Sequence, residues 1–146
     1  MNCIEFTVLW TDGNDGMIQL SVKAASSFHA AYHETYLYPE SLEAFAAELK
    51  GFPQTPDAEV VLESGSKDPA WYDYFRMRVF LVKATGQSVL EFESEIRGDP
   101  PHRAESHFFL PGLPADFNRM GSDLSAWLAD KSTPLLIEWK NDVPFA

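Results

Sequence analysis

A chain of 146 residues, 45% hydrophobic and 14% aromatic, is long enough to bury one sizeable core and too apolar to stay disordered. Twenty-two acidic against eleven basic side chains give a net charge of -11, which repels phosphate backbones and anionic lipid, so nucleic acid and membrane surfaces are excluded as partners. Cys3 is the single cysteine, which excludes an intrachain disulfide and a cysteine-built zinc site and points to a reducing, cytoplasmic compartment.

The opening residues Met1 to Trp10 alternate without a basic leader, so they predict a strand and not a signal peptide. Ile4, Phe6, Val8 and Trp10 share one side of it, and Asp12-Gly13-Asn14-Asp15-Gly16 supplies the turn. Ile18, Leu20, Val22 and Ala24 alternate with Gln19, Ser21 and Lys23 in a second strand, and Phe28 to Tyr38 forms a third, aromatic-rich run. Together they predict a meander. Pro39 opens a helix whose apolar face is Leu42, Phe45, Ala46 and Leu49, and Gly51 and Pro53 end it.

Val60 and Leu62 mark a short strand, and Ser64 to Pro69 a loop before the long run from Trp71 to Ala84. With Thr85-Gly86 as the turn, that run folds on the next one as a hairpin. Leu81 then faces Leu90, Val79 faces Phe92 and Phe75 faces Ile96, while Arg78 faces Glu93 and Arg76 faces Glu95 on the other side. A slip of one residue would mix apolar with charged partners, so the pattern demands an even loop length. Phe80 opposite Glu91 is the outward position that does not fit. Ser106 to Leu110 is a further strand that Pro111 ends. A second helix begins near Pro114 with Phe117, Met120, Gly121, Leu124, Trp127 and Leu128 along one face, and Leu135, Ile137 and Trp139 alternate in a last strand. No internal repeat and no dividing linker stands out. The expected fold is α+β, one domain over residues 1–146, with a mostly antiparallel twisted sheet of about seven strands and two amphipathic helices packed on its apolar face.

No set of residues has the spacing of a catalytic or metal-binding motif, and no cofactor is called for. His29 and His33 stand four apart on an extended segment, where their side chains lie about 13 Å apart, too far to chelate one ion. His102 and His107 flank Arg103 and Glu105 without an identifiable nucleophile. Cys3 lacks a base or helix N-terminus to activate it. Glu91, Glu93 and Glu95 line one face of a strand, either as a surface for a basic protein or as charges that Arg76 and Arg78 neutralise. Tyr72 and Tyr74 alternate outward from Phe75 and Trp71, and Tyr is a residue that anchors interfaces. The candidate binding residues are therefore Tyr72, Tyr74, Phe80, Glu91, Glu93 and Glu95.

The order of elements, with its helix start Tyr38-Pro39-Glu40-Ser41-Leu42-Glu43-Ala44-Phe45 and its Thr85-Gly86 hairpin, resembles small uncharacterised bacterial α+β domains, some of them immunity proteins found beside polymorphic toxins. The resemblance carries no functional residue over. What it implies is a non-enzymatic binding or interaction module, in its most specific form an immunity-type inhibitor of a basic protein partner. Two alternatives stay open: a ligand-binding or enzymatic pocket between sheet and helices that uses His29, His33 or His107, and a homo-oligomer that buries Phe80.

Overall fold

Alternating apolar residues decide which way each strand faces, and a glycine at positive φ decides where the chain turns back. The computed structural model describes residues 1–140. Strand β1 (Asn2–Thr11) buries Ile4 and Phe6, then Asp12 caps the turn by accepting from the backbone N–H groups of Asn14 and Asp15. Gly16, at φ 79°, closes that loop, and β2 (Ile18–Ala25) returns antiparallel with Ile18, Leu20, Val22 and Ala24 inward. A bulge between Val8 and Trp10 breaks the expected alternation and leaves Trp10 exposed instead of beside Val8 on the buried face. Strand β3 (Ala30–Leu37) completes the meander, and a single extended residue, Tyr38, leads into α1 (Pro39–Lys50). Strand β4 (Glu59–Gly65) follows.

The remaining elements run through the same order again. Strand β5 (Asp73–Leu81) leads to a loop closed by Gly86 at φ 71°, then come β6 (Ser88–Ile96), β7 (Ala104–Gly112), one extended residue, Leu113, and α2 (Pro114–Trp127) with β8 (Leu135–Trp139). The two loops share their closing bonds: Asp12 N–H to Met17 C=O and Gly16 N–H to Asp12 C=O in the first, Val82 N–H to Gln87 C=O and Gly86 N–H to Val82 C=O in the second. Buried helix positions also match in sequence order, Leu42, Phe45, Ala46 and Leu49 against Phe117, Met120, Gly121 and Leu124. The chain thus contains a structural repeat, contrary to the reading of its sequence, because the matched positions keep burial and seldom keep identity.

The sheets show how the halves are joined. One has the order β3-β2-β1-β8 and the other β4-β5-β6-β7, so each half lends its last strand to the sheet of the other. The helices meet where Gly121 packs on α1, so closely that a Cβ there would sit 2.7 Å from the Ala46 carbonyl oxygen. The core between sheets and helices is dominated by Phe6, Phe45, Phe75, Phe92 and Phe117, each fully buried and each contributing about 1.5–3 kcal/mol by leaving water.

The α+β class stands, but among the described residues eight strands in two antiparallel sheets replace the expected single sheet of about seven. The second hairpin keeps the even loop length and slides by two residues. Leu81 faces Ser88, Val79 faces Leu90, Phe75 faces Ser94, Phe80 faces Val89, and Arg76 and Arg78 face Glu93 and Glu91. The loop holds Lys83 to Gly86 and not Thr85-Gly86 alone, which moves every pair while keeping each side chain on its face. Pro111 lies within β7 and does not end it; β7 is an edge strand, where a missing N–H costs no ladder bond. No helix among the described residues is long and apolar enough to cross a membrane.

Candidate functional site

Period two places Tyr74, Arg76, Arg78 and Phe80 of β5 on the outer face of the second sheet, beside Glu91, Glu93 and Glu95 of β6 and His107 and Phe109 of β7. On that face Glu91 is only 4% exposed, which is unusual for an outward carboxylate. It is covered by its partners. Its Oε1 accepts from Arg76 Nη2 at 2.8 Å and Arg78 Nε at 2.9 Å, and its Oε2 lies 2.7 Å from His107 Nε2. Burial works against the charged carboxylate, but the His107 bond and the two guanidiniums outweigh it and hold Glu91 below the ordinary range. Glu93 is buried too, between Lys67 Nζ at 3.1 Å and Arg76 Nη2 at 3.5 Å. The ligand atoms of Glu91, Glu93 and His107 lie within 4.8 Å of one another, a spacing a metal could use, yet Arg76, Arg78 and Lys67 already balance those carboxylates. The arrangement is an ion network.

Along the β7 edge the chemistry changes from ionic to aromatic. A cleft of about 860 Å³ opens between the Ser26–His29 loop and β7, lined by Phe28, His29, His107, Phe108, Phe109 and Pro111. His29 stacks on Phe108 with ring centroids 5.7 Å apart, and His107 lies 5.5 Å from Phe109. Phe109 is half exposed and meets Phe80 edge-on at 6.5 Å, while the Arg78 guanidinium lies 3.8 Å over the Phe80 ring. Since Phe108 is buried and Phe109 faces out, β7 shows one aromatic to the core and one to solvent. His107 belongs to both regions, one ring nitrogen in the ion network and its side chain among those that line the cleft.

The expected site residues are partly gathered here. Tyr74, Phe80, Glu91, Glu93 and Glu95 share the outer face, and Tyr72 lies in the loop before β5, exposed. Tyr74 is buried on that face, its hydroxyl donating to Glu63 at 2.5 Å with Lys67 5.2 Å over its ring; burial, then Glu63, pushes the phenol well above its ordinary value. Glu95 pairs with Arg97 at 2.6 Å, and that guanidinium also donates to the carbonyls of Ser66, Asp68 and Trp71, which pins the loop carrying Tyr72.

One constellation lies elsewhere, and its members do not stand out in the sequence. His33 is fully buried where β3 crosses the second sheet, with Nδ1 2.7 Å from Ser94 Oγ and Nε2 3.0 Å from Asp73 Oδ2. Thr35 donates to Asp73 at 3.1 Å and lies 2.6 Å from Ser64 Oγ. Serine, histidine and aspartate are the residues of a hydrolase triad, but Ser94 is on the inner face of its sheet and buried, where no substrate reaches it. Burial pushes the His33 imidazole below its ordinary value, and the bond and charge of Asp73 pull it back part of the way. The expectation that His29 and His33 stand together on one extended segment is thus corrected: His29 is in a loop and His33 is interior. The signal was available as polar residues at inward positions, His33 and Thr35 in β3 and Ser94 in β6. The three histidines are not gathered between sheet and helices: His29 and His107 line the β7 cleft and His33 lies apart from it.

No protein-family model and no curated protein matches this sequence. Solved structures do. The chain overlays on WHY1 from Arabidopsis thaliana with a TM-score of 0.50 at 9% identity, over 88% of this chain and 78% of that one. A structure described as the plant transcriptional regulator PBF-2 gives 0.48 at 7% identity over 88% and 76%, and WHY3 from Arabidopsis thaliana gives 0.47 at 10% over 90% and 86%. At such identity the WHY1 likeness shows the fold alone. The expected immunity-type inhibitor of a basic partner is corrected here: the fold this chain shares is that of WHY1, and none of the three structures is described as an immunity protein. The exclusion of nucleic acid is corrected with it. That exclusion rested on net charge, which describes the whole surface and not the local chemistry of a cleft.

Proposed function

We propose that this protein binds an unpaired nucleic-acid strand by stacking bases in the β7 cleft. The observation that carries the reading is the set of rings at the β7 edge, Phe109 and His107 on its outer face and His29 stacked on the buried Phe108, beside an opening of about 860 Å³. Every base has a π face, and stacking on an aromatic side chain is worth about 1–3 kcal/mol per base without reading sequence. The net charge of -11 sets the mode. Phosphates are repelled, so the backbone stays in solvent and the rings do the holding. Binding of this kind does not weaken as salt rises, unlike binding that releases counterions from phosphate contacts.

The test is fluorescence anisotropy with a labelled oligothymidylate and an abasic strand of the same length, each at low and high salt. The expected result is binding that requires the bases, holds or tightens with salt, and weakens about tenfold or more in Phe109→Ala. Equal binding of the abasic strand, loss of binding with added salt, no binding at all, or an unchanged Phe109→Ala variant would overturn it.

A further inference from the structure

The sheets meet along two seams related by the repeat, and in one of them a fully buried histidine is bonded across the seam. In the first seam, β3 lays His33 and Thr35 against Asp73 of β5, Ser94 of β6 and Ser64 of β4. In the second, β7 lays Phe108 and Leu110 at the matching positions, Ala24 of β2 stands where Ser94 does, and Asn2 of β1 stands where Asp73 does. There the contacts are apolar, with Asn2 Nδ2 and Trp139 Nε1 donating to the Pro111 carbonyl at 2.9 and 2.8 Å. We propose that the first seam is a pH-operated latch: a proton on His33 loosens β3 from the second sheet while the second seam stays closed.

The geometry explains why a proton matters. With neutral imidazole, His33 donates from Nε2 to the Asp73 carboxylate and accepts at Nδ1 from the Ser94 hydroxyl, so both ring nitrogens are satisfied. A second proton turns Nδ1 into a donor, and Ser94 must rotate its hydrogen away on a buried inner face. The charged groups facing His33 are Asp73, bonded to it, and Glu34, farther off on its own strand. The other neighbours, Ser94, Ser64, Thr35 and the Phe75 ring stacked 5.3 Å away, carry no charge. Asp73 is therefore the single close compensation, and it also accepts from Thr35, so its oxygen is shared.

Folding shifts this imidazole down from an ordinary value of about 6.5, so between the two values the unfolded chain binds the extra proton. Stability contributed by neutral His33 is thus fully present above that range, is lost as pH falls through it, and changes no further below it. The latch reaches the cleft as well, because β3 begins immediately after the Ser26–His29 loop that forms one cleft wall. It does not depend on what the cleft binds.

Methyl NMR of the unmodified protein tests this directly, since Thr35 and Leu110 occupy matching positions in the two seams. As pH is lowered from about 7.5 through the ordinary histidine value and below it, Thr35 is expected to show exchange broadening that grows about fivefold or more while the Leu110 methyls hold, in step with protonation of the His33 ring. In His33→Gln, whose amide can donate to Asp73 but does not titrate there, the Thr35 response should vanish. Equal broadening in both seams, no change at Thr35, or the same response in His33→Gln would overturn the latch. If that variant fails to fold, the wild-type contrast between Thr35 and Leu110 still decides.

Discussion

The two halves of this chain solve one packing problem with different chemistry. At the first seam the matching positions are His33, Asp73 and Ser94, a set of three polar groups that must all find partners; at the second they are Phe108, Asn2 and Ala24, which need shape more than partners. The outer faces differ as sharply. The second sheet carries Glu91 and Glu93 under Arg76, Arg78 and Lys67, whereas the matching positions of the first sheet are Ser21 and Lys23. A repeated backbone does not require a repeated interior. What it requires is that each position keep its burial: a paired polar set does that at the first seam, and a mostly apolar set, in which the buried Asn2 Oδ1 has no hydrogen-bond partner, does it at the second.

The largest test of this contrast is at Glu91. Glu91→Ala removes the carboxylate shared by Arg76, Arg78 and His107, and although Arg76 keeps Glu93 and Arg78 keeps Glu59, losing these charged hydrogen bonds should cost about 1.5–3 kcal/mol. Ser21→Ala, at the matching place in the first sheet, should cost less than about 1 kcal/mol. Chemical denaturation of both variants reads the difference. Equal losses would mean that the ion network is decoration on a face held by its strands alone.

A smaller effect belongs to the helix crossing. Gly121→Ala adds a Cβ 2.7 Å from the Ala46 carbonyl oxygen and 2.9 Å from the Lys50 nitrogen, both backbone atoms that cannot swing aside. The helices must separate. Alanine favours a helix over glycine by about 1 kcal/mol, so a net loss of about 1–3 kcal/mol on thermal or urea unfolding would show that close approach outweighs propensity. A gain in stability would place the helices farther apart than the crossing shown here.

How much of this was legible follows from which signals are local. Pro39 and Pro114 with their i, i+3, i+4 faces announced both helices to the residue at their starts, because a helix is specified by its own segment. The strands were legible by alternation, and so was the parity of the second hairpin. The assignment of strands to two sheets was not, since it depends on β4 and β8 leaving the half that precedes them, a choice made by tertiary packing. The cleft was hidden for the same reason. Phe28 and His29 come from one half and His107 and Phe109 from the other, and no spacing connects them. His33 and Ser94 were hidden in a subtler way: each interrupts an apolar alternation, which a reading of single strands treats as exposure and which two strands read together reveal as a shared interior contact.

The smallest effect is the one on which the halves should agree. Gly16 and Gly86 sit at φ 79° and 71°, in loops with the same closing bonds, and a Cβ at either would meet nothing within 4 Å. Sterics with the surroundings are therefore absent at both, and only the left-handed backbone opposes a side chain. Alanine at either position should cost about 1 kcal/mol, and the two losses should agree to within about half of that, as measured by urea unfolding of each variant. The agreement is informative because the residues before the glycines differ, Gly13-Asn14-Asp15 in one loop and Lys83-Ala84-Thr85 in the other. If the first loop loses much more, the Asp12 and Asp15 carboxylates that accept backbone N–H bonds are what hold its shape. If the losses match, the turn is set by backbone conformation alone, and the two halves share it for the same reason they share a fold.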